Sequence, residues 1–411
     1  QRCQDELKKE GCRMVQVASL FNQLLKHFPR TEFAGLVAKH EAERDAKGFT
    51  CWTQFVAMLF CQLARTDSLR EICNGLSCCL GKLVHLGVLT APSKSTLSYA
   101  NKHRPSALFE ELFWTILQRF RQQQQLGARP TRFRFKNKLL LLDSTTISLC
   151  LTLFPWADFK RAKGGVKAHV LLDHDDYMPR FVLLTTAKAS DVRIAPSVPL
   201  PSESIVVCDR AYLNFTTFAQ WNGQGTYFVC RSPHPPLYRV VRRQIVGSAR
   251  IVDDQIVRYT GRYSGLYPGL LRRITVRVEG DDPLILVTNL MHFAASTIVR
   301  IYKERWQIEV FFKALKQNLK IKTFVGTTEN ALRIQIWTAL IAILLLKWLH
   351  HLSKARWSLS NLASMLRLNL FTYRDLTDWL NNPFATPPLS PVPEQLLLDL
   401  SGFGQPLRFS T

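Results

Sequence analysis

The segment Lys138-Leu-Leu-Leu-Leu-Asp143 (KLLLLD) is a short, continuous apolar run that ends in a carboxylate. A second run of the same kind, Ser204-Ile-Val-Val-Cys-Asp209 (SIVVCD), follows later in the chain. Such runs are typical of strands buried on both faces of an α/β sheet. Ligand sites in these sheets lie beyond the carboxyl ends of strands, so Asp143 and Asp209 are predicted to line one site. A lone aspartate at a strand end is often only a turn residue, but two in the same context favour a functional pair.

The residues around these two runs extend the α/β pattern over 139–230. Apolar runs predict further strands at 147–150, 167–173, 181–184 and 227–230, and helical periodicity predicts a helix at 215–221. Turns are expected at Gly164-Gly165 and at Asp175-Asp176. We interpret this region as a mixed α/β unit.

The segment 231–290 has a different pattern, in which valine and isoleucine alternate with polar residues as on an antiparallel sheet. It contains ten arginines, no lysine and five acidic residues. Guanidinium groups suit bidentate contact with phosphate, so Arg242 and Arg243 are candidate phosphate-binding residues. The alternative is an ordinary solvated sheet face. We predict a β-rich insertion here.

Helical periodicity returns over 291–370, with one long helix predicted from 296 to 319 and a second from 329 to about 352. At about 100° per residue, four polar residues of the first helix fall on one face. They are Tyr302, Arg305, Glu309 and Lys316. This polar stripe either faces a partner that needs both a carboxylate and cations, or is an exposed, ion-paired face. Residues 371–411 are predicted to be a carboxyl-terminal tail, within which 381–393, with five prolines, is expected to be loosely ordered.

Residues 15–117 are predicted to form an all-helical amino-terminal domain, preceded by a polar extension at 1–14. One helix begins after Ser68, a turn follows at Leu86-Gly87, and Ser93 can cap the next helix. Lys94 and Ser95 at the start of that helix are candidate DNA contacts, because a helix that follows a helix and a turn can read the major groove. An ordinary helical hairpin is an equal alternative. Residues 118–138 are predicted to be a basic linker, with seven Lys or Arg.

The charge of the chain points to a polyanionic partner. Its 411 residues predict two or three domains, and 54 Lys and Arg against 31 Asp and Glu give a net charge of +23. Each phosphate that a cation neutralises releases counterions, so nucleic acid is the first expectation. With 47% apolar and 21% charged residues, the composition is that of a globular protein rather than of a disordered one.

No membrane partner is expected, and the protein is predicted to be cytoplasmic. The longest apolar stretch, 334–346, is shorter than the roughly 20 residues that span a bilayer, and the amino terminus has no secretory signal pattern. The ten cysteines lack the spacing of a zinc site, and several lie in apolar runs. They are interpreted as reduced core thiols.

Three carboxylates, Asp143, Asp209 and Glu309, would repel one another unless divalent cations lay among them. Oxygen-only ligands suit Mg²⁺ or Mn²⁺, and two such ions about 3.5–4 Å apart can promote an in-line displacement at a phosphodiester. Arg305 and Lys316 are then placed to hold backbone phosphates. His169 and His174 are weaker metal candidates, and Asp191 is interpreted as a turn cap rather than an accessory acid.

The pattern Tyr302-x2-Arg305-x3-Glu309-x6-Lys316, with Asp143 and Asp209-Arg-Ala-Tyr212 upstream, resembles the DDE transposases of bacterial insertion sequences, specifically the insertion sequence four family. The stretches Phe21-Asn-Gln-Leu-Leu-Lys26, Phe49-Thr-Cys-Trp52 and Ser68-Leu-Arg70 likewise resemble the helical domain that precedes many such catalytic domains. The resemblance covers roughly residues 15 to 370. It implies an RNase H-like catalytic domain formed by 139–230 and 291–370, with the β-rich insertion between them.

The resemblance also implies roles for residues. Asp143, Asp209 and Glu309 would bind two divalent cations, Mg²⁺ or Mn²⁺, while Tyr302, Arg305 and Lys316 would contact transposon-end phosphates. The implied enzyme is a bacterial, nucleoid-associated DNA transposase that binds terminal inverted repeats as a dimer. It would cleave by attack of water and join the 3′ hydroxyl to target DNA.

The chain departs from well-studied relatives in one respect, because 231–290 contains four tyrosines and no tryptophan that could stack on a flipped base during hairpin formation. The route of excision therefore stays open. Two other functions also stay open: a catalytically inactive, transposase-derived DNA-binding protein, and an RNase H-like nuclease without strand transfer. Metal-dependent scission and joining of DNA would distinguish the three.

Overall fold

The structure is a computed structural model that describes residues 18–388, except positions 45, 80, 125, 127–132, 151, 161–162, 233–236, 247–248 and 322. The predicted extension 1–14 therefore lies outside the described residues. So do positions 125 and 127–132 of the predicted linker and residues 389–411 of the predicted tail.

The amino-terminal region is helical, as predicted. Its helices are α1 (Leu20–Leu25), α2 (Arg30–Lys39), α3 (Cys51–Ala64), α4 (Leu69–Ser77), α5 (Lys94–His103) and α6 (Ala107–Gln122). Hydroxyl side chains start several of them by accepting a hydrogen bond from the backbone amide three residues later, and Ser68 and Ser93 are the caps of α4 and α5. Gly87 has φ 71°, the left-handed conformation that the turn before α5 requires. Helix α6 extends to Gln122, so the stretch predicted as a linker begins within a helix.

A large mixed sheet follows. Its strands are β1 (Leu139–Leu149), β2 (Asp158–Lys160), β3 (Lys163–Asp173), β4 (Pro179–Thr186), β5 (Ile205–Cys208), β6 (Tyr227–Arg231), β7 (Tyr238–Arg243), β8 (Ile251–Tyr259), β9 (Leu271–Val276) and β10 (Leu284–Thr288). The strand order is β2-β3-β1-β5-β6-β10-β9-β8-β7, and β4 also pairs with β3. Strands β1, β5 and β6 are parallel, and the remaining pairings are antiparallel.

Two predictions about the first strands were wrong. The apolar run before Asp143 and the stretch 147–150 belong to one strand, because β1 continues past Asp143 in antiparallel pairing with β3. Gly164-Gly165 is not a turn but lies in β3, opposite Leu149 and Ser148. A Cβ on Gly164 would come within 3.1 Å of the backbone oxygen of Ala157, so this close strand packing explains the glycine.

The predicted insertion is β-rich, and its strands extend the central sheet rather than forming a separate one. Strand β10 pairs with β6, and β9, β8 and β7 follow outward in order. The edge strand β7 carries the arginine-rich segment Tyr238–Arg243. The short helix α7 (Asp191–Ile194) lies between β4 and β5 in the chain, and α8 (Phe215–Gly223) lies between β5 and β6.

The carboxyl-terminal part is helical, with α9 (Ala295–Lys303), α10 (Trp306–Asn318), α11 (Glu329–Leu352), α12 (Leu359–Asn369) and α13 (Leu376–Asn381). The prediction of one helix from 296 to 319 was wrong, because the chain turns at Glu304 and Arg305 between α9 and α10. The predicted tail includes α13, in which Trp379 is fully buried.

Alternate residues of β1 belong to two hydrophobic cores, one on each face of the sheet. Leu139 and Leu141 join the larger core, which also includes the amino-terminal helices and α11, whereas Leu140 and Leu142 join a second core on the opposite sheet face. Helix α11 packs against α3 and α6. By length and composition α11 could cross a membrane, but 89% of its most apolar window is buried within the protein. This burial agrees with its prediction as a core helix.

Candidate active site

Asp143 and Asp209 lie side by side at the centre of the sheet. The parallel pairing of β1 with β5 ends at Leu142 opposite Cys208, and each aspartate is the next residue along its chain. Neighbouring strands lie about 4.8 Å apart, so the register alone brings the two carboxylates together. Asp143 no longer pairs with β5, but it still belongs to β1. Its pairing with Val170 of β3 holds it in place.

Backbone and thiol groups hold both aspartates. The amide of Ser144 donates to Asp143 Oδ1 at 2.7 Å, and the amide of Ala211 donates to Asp209 Oδ1 at 2.8 Å. The Sγ of Cys230, on the adjacent strand β6, donates to the backbone oxygen of Asp209 at 3.2 Å. One carboxylate oxygen of each aspartate is thus fixed by its own local backbone.

Glu309 joins this site through Arg305. One terminal nitrogen of Arg305 is 3.2 Å from Asp143 Oδ2, and the other is 2.6 Å from Glu309 Oε1. Arg305 lies at the turn between α9 and α10, and Glu309 lies in the first turn of α10. The predicted spacing therefore brings the two residues together across a helix junction, although not along one continuous helix.

The other two stripe residues lie against neighbouring strands. Lys316 donates from Nζ to Thr145 Oγ1 at 2.5 Å and to the backbone oxygen of Thr146 at 3.1 Å, both on β1. The guanidinium carbon of Arg305 is 5.9 Å from the centroid of the Tyr302 ring. Burial raises the pKa of Tyr302 to about 12, so its hydroxyl is a neutral hydrogen-bonding group.

Burial is the main influence on the ionisation of Asp143. It is the largest of the causes that together raise the pKa of Asp143 to about 7; the negative charges of Asp209 and Glu309 also raise this pKa, whereas the Ser144 amide and Arg305 lower it. Asp209 and Glu309 are thus close enough to act electrostatically on Asp143. A site of this kind attracts additional cations.

The donors at this site suit a hard divalent cation, since Asp143, Asp209 and Glu309 offer only carboxylate oxygens. Among the described residues, no three His, Cys, Asp or Glu side chains are gathered closely enough to hold a metal ion. The guanidinium of Arg305 lies between Asp143 and Glu309, where a cation would bind both. The oxygen-only donors fit a divalent ion, which would take the place that the Arg305 guanidinium now holds.

Four further candidate DNA contacts lie on exposed parts of α5 and β7. Lys94 and Ser95 are exposed at the start of α5, and Arg242 and Arg243 are exposed on the edge strand β7. Arg243 forms an ion pair with Asp253 at 3.0 Å. Each of these candidates is accessible, whereas Arg305 contacts Asp143 and Glu309, and Lys316 contacts β1 two residues beyond Asp143.

The histidine candidates are not brought together as metal ligands. His169 lies beside Asp191, and His174 Nε2 is 3.2 Å from Glu304 Oε2. Cysteine behaves largely as predicted, since Cys51, Cys61, Cys73, Cys208 and Cys230 are free and buried, whereas Cys78 and Cys150 are free and exposed.

Sequence reasoning missed the exposed apolar side chains at the start of α10 and the ion pairing of Asp191. Trp306 is 61% exposed directly after Arg305, and Val310 is exposed one turn further along α10. A tryptophan within a run of charged residues was a signal that could have identified Trp306. Asp191, interpreted as a turn cap, instead pairs with Lys167 and His169. No local pattern marks that pairing.

Comparisons with known proteins show the family to which the chain belongs. Residues 134–345 match the family model described as transposase DDE domain, and residues 16–89 match a domain of unknown function (DUF4372). The chain is 31% identical over 306 residues to a protein named transposase y4zB from Sinorhizobium fredii, which covers 73% of this chain and 83% of that protein. It is 29% identical over 268 residues to a protein named as the transposase for insertion sequence element IS5377 of Geobacillus stearothermophilus, covering 65% and 70% of the two chains.

A solved structure is also similar. The piggyBac transposase synaptic complex with hairpin DNA matches 89% of this chain and 82% of its own chain, with 12% sequence identity and a TM-score of 0.40. That TM-score is too low to support a conclusion about this fold. The family match and the relatives carry the assignment, because the family model matches residues 134–345, about half of the chain, and the relative from Sinorhizobium fredii covers 73% of it at 31% identity. The chain belongs to the transposase DDE domain family and is a DNA-cleaving enzyme of DNA transposition.

Proposed function

We propose that this protein is a cut-and-paste transposase of the insertion sequence four family, which binds terminal inverted repeats, cleaves at the transposon ends and transfers the 3′ ends to target DNA. The observation that supports this proposal most strongly is the position of Asp143 and Asp209 directly beyond paired residues of β1 and β5, with Glu309 linked to Asp143 through Arg305. Three acids on two strands and one helix provide a site at which a phosphodiester can be cut.

The residues that would hold two divalent cations, Mg²⁺ or Mn²⁺, are Asp143, Asp209 and Glu309. When bound, such ions activate an attacking oxygen and stabilise the leaving oxygen of a phosphodiester. The Ser144 and Ala211 amides hold one oxygen of each aspartate, which orients the other oxygen for binding. Pre-orientation of this kind lowers the cost of assembling the site.

The cationic residues would bind the DNA near the cleavage point. Arg305 presents a planar guanidinium that can exchange its carboxylate partners for a phosphate of similar geometry. Lys316 places its ammonium group beside β1, two residues beyond Asp143. The neutral hydroxyl of Tyr302 can donate to a phosphate oxygen. These residues position the backbone so that the scissile bond meets the acids.

We assign an RNase H-like catalytic domain to 139–230 and 291–370, interrupted by the insertion 231–290. The helical region 15–117 would bind the ends through Lys94 and Ser95 of α5, and the insertion through Arg242 and Arg243 of β7. A net charge of +23 supports strong attraction to DNA. Two ends must be brought together, which favours a homodimer in the synaptic complex, in a bacterial cytoplasm where the nucleoid is the substrate.

A cleavage and joining assay tests this function. Purified protein is incubated with labelled end DNA and a target plasmid in Mg²⁺, Mn²⁺ or EDTA, and cut and joined products are separated on gels. The proposal predicts metal-dependent cleavage followed by joining, and it predicts that Glu309→Gln still binds the ends but no longer cuts them. Glu329→Gln is the matched control, because Glu329 forms a comparable i,i+4 ion pair with Arg333, at 2.8 Å, outside the acidic site.

The other outcomes favour different functions. Specific end binding without scission in either metal would favour the inactive DNA-binding protein. Scission without joined products would favour a nuclease. Full activity of Glu309→Gln with unchanged metal dependence would contradict the assignment of Glu309.

A further inference from the structure

A cluster of buried and half-buried polar side chains lies on the sheet face opposite Asp143. Lys167 Nζ is 3.3 Å from Asp191 Oδ2, and His169 Nδ1 is 3.2 Å from Asp191 Oδ1. Lys167 also donates to the backbone oxygen of Ala189 at 3.1 Å, and His169 Nε2 lies 3.0 Å from Thr185 Oγ1. We name Lys167, His169 and Asp191 the support cluster.

The support cluster is too well buried to be an ordinary surface ion pair. The His169 side chain is fully buried, and those of Lys167 and Asp191 are each 14% exposed. Burial alone would raise the pKa of Asp191, but His169, the Ser144 hydroxyl and Lys167 together lower it to about 2. The carboxylate is therefore firmly ionised, and buried charges of this kind are costly to keep unless they are paired.

The strand register connects the support cluster to Asp143. His169 is the cross-strand partner of Ser144, and Lys167 is the partner of Thr146, both on β1. Because successive residues of a strand point to opposite faces, Ser144 faces the support cluster while its neighbour Asp143 faces the α10 side. The Ser144 amide is also the group that holds Asp143 Oδ1. A shift of Ser144 would therefore be transmitted directly to Asp143.

A second connection leads to Asp209. Asp191 is the first residue of α7, and α7 packs against the single helical turn Arg210–Tyr212 that directly follows Asp209. Tyr212 is fully buried in this turn. Burial and the nearby charges of Asp191 and Asp143 raise the pKa of Tyr212 well above its usual value. The support cluster thus contacts the supporting segments of both aspartates.

We propose that Asp191 is a positioning residue: paired with His169 and Lys167, its carboxylate fixes Ser144 and the turn Arg210–Tyr212, and so sets the separation of Asp143 and Asp209 at which divalent cations bind. This inference rests on the proposed metal-dependent function. Removing a group that orients a metal ligand but does not bind the metal itself typically weakens metal affinity by about 10- to 100-fold.

The variant Asp191→Asn tests this proposal because it removes the charge with little change in volume. Asp173→Asn is the matched control, since Asp173 is also a buried aspartate with basic partners, Arg180 at 2.7 Å and Lys138 at 3.3 Å. It lies at the other end of β3, opposite Leu140. Both variants remove the charge of an aspartate in an ion-pair cluster that includes residues of β3. Only Asp191 lies against the segments that hold Asp143 and Asp209.

Two measurements are made on each full-length variant. The first is Mn²⁺ affinity without DNA, from the amount of free Mn²⁺ detected by electron paramagnetic resonance. The second is the Mg²⁺ concentration that gives half-maximal cleavage of end DNA. Asp191→Asn is expected to weaken both by about 10-fold or more. Asp173→Asn is expected to leave both within about twofold of the original protein, whatever its thermal stability.

Each outcome decides a different question. If the unaltered protein binds Mn²⁺ but does not cut DNA, the proposed function fails while the Mn²⁺ measurement still tests the role of Asp191. If Asp191→Asn does not fold, His169→Gln removes the imidazole contact with a milder change and is expected to weaken Mn²⁺ binding severalfold. Mn²⁺ affinities of the foldable variants equal to that of Asp173→Asn would overturn the proposal.

Discussion

The guanidinium of Arg305 lies 3.2 Å from Asp143 Oδ2, joining the start of α10 to the middle of β1. Its other terminal nitrogen contacts Glu309 at 2.6 Å, so one cation holds two acids from separate elements. This bridge explains how carboxylates that repel one another stay in one site. It also means that Arg305 must exchange partners when the site takes up other cations or DNA phosphates.

Replacing Arg305 should destabilise the protein most when Asp143 is ionised. Arg305→Gln leaves two acids without their cation, which should cost about 2 kcal/mol in unfolding free energy at pH 8. The cost should be smaller at pH 5, where Asp143 is protonated, and smaller again in millimolar Mn²⁺. Urea denaturation measures each difference, with Arg333→Gln as the control. An equal cost at both pH values would contradict this account of the bridge.

The raised pKa of Asp143 predicts a specific pH dependence. The folded protein holds a proton on Asp143 up to a pKa of about 7, whereas the unfolded chain releases it near 3.8. The unfolding free energy should therefore fall as pH rises from about 4 to about 7, by at most about 4 kcal/mol at roughly 1.4 kcal/mol per pKa unit. Asp143→Asn should lack this component. Denaturation curves of both proteins at pH 5 and pH 8, without divalent cations, measure it, and parallel pH profiles would refute it.

Removing an arginine from the edge strand should weaken DNA binding without altering its specificity. Arg242 is exposed on β7, so Arg242→Gln should reduce the slope of log affinity against log salt by about 1, equally for end DNA and for random DNA. Fluorescence anisotropy across a salt series measures the slope. Arg356→Gln, an exposed arginine outside the proposed DNA-binding elements, should leave it unchanged. Equal slopes for all three proteins would exclude Arg242 from the interface.

The ion pairs of the adjacent residues Asp253 and Asp254 should differ strongly in their contribution to the free energy of unfolding. Arg272 and Asp254 are buried, 2.6 Å apart, and Arg272 also donates to backbone oxygens of the loop before α9, including Phe293 O at 2.5 Å. Arg272→Leu leaves Asp254 buried and unpaired, which should cost about 3–5 kcal/mol. Arg243→Leu breaks the exposed pair with Asp253 and should cost less than about 1 kcal/mol. Chemical denaturation compares them, and similar costs would show that burial does not govern these pairs.

The sequence marked Asp143 and Asp209 as candidate residues after apolar runs, but it did not define the elements around them. Apolar runs marked the strands before Asp143 and Asp209, because strands buried on both faces need continuous apolar residues. The continuation of β1 beyond Asp143 was not predictable, since its polar residues are stabilised by pairing with β3, a contact that no local pattern encodes. The break between α9 and α10 was also hidden, because periodicity continues through Glu304, whose partner His174 lies 130 residues away. The support cluster escaped notice for the same reason: Asp191 finds its partners on a different strand.

The most direct test of the account is the single-turnover rate at which end DNA is cleaved by the variants Asp143→Asn, Asp209→Asn and Glu309→Gln. If the three acids form one centre, each variant should lose at least about a thousandfold in rate while binding DNA normally. The double variant of Asp143 and Asp209 should then be no slower than either single variant, because residues that act as a unit are not additive. Cleavage at the original rate by any one of the three single variants would contradict the claim that Asp143, Asp209 and Glu309 form one catalytic centre.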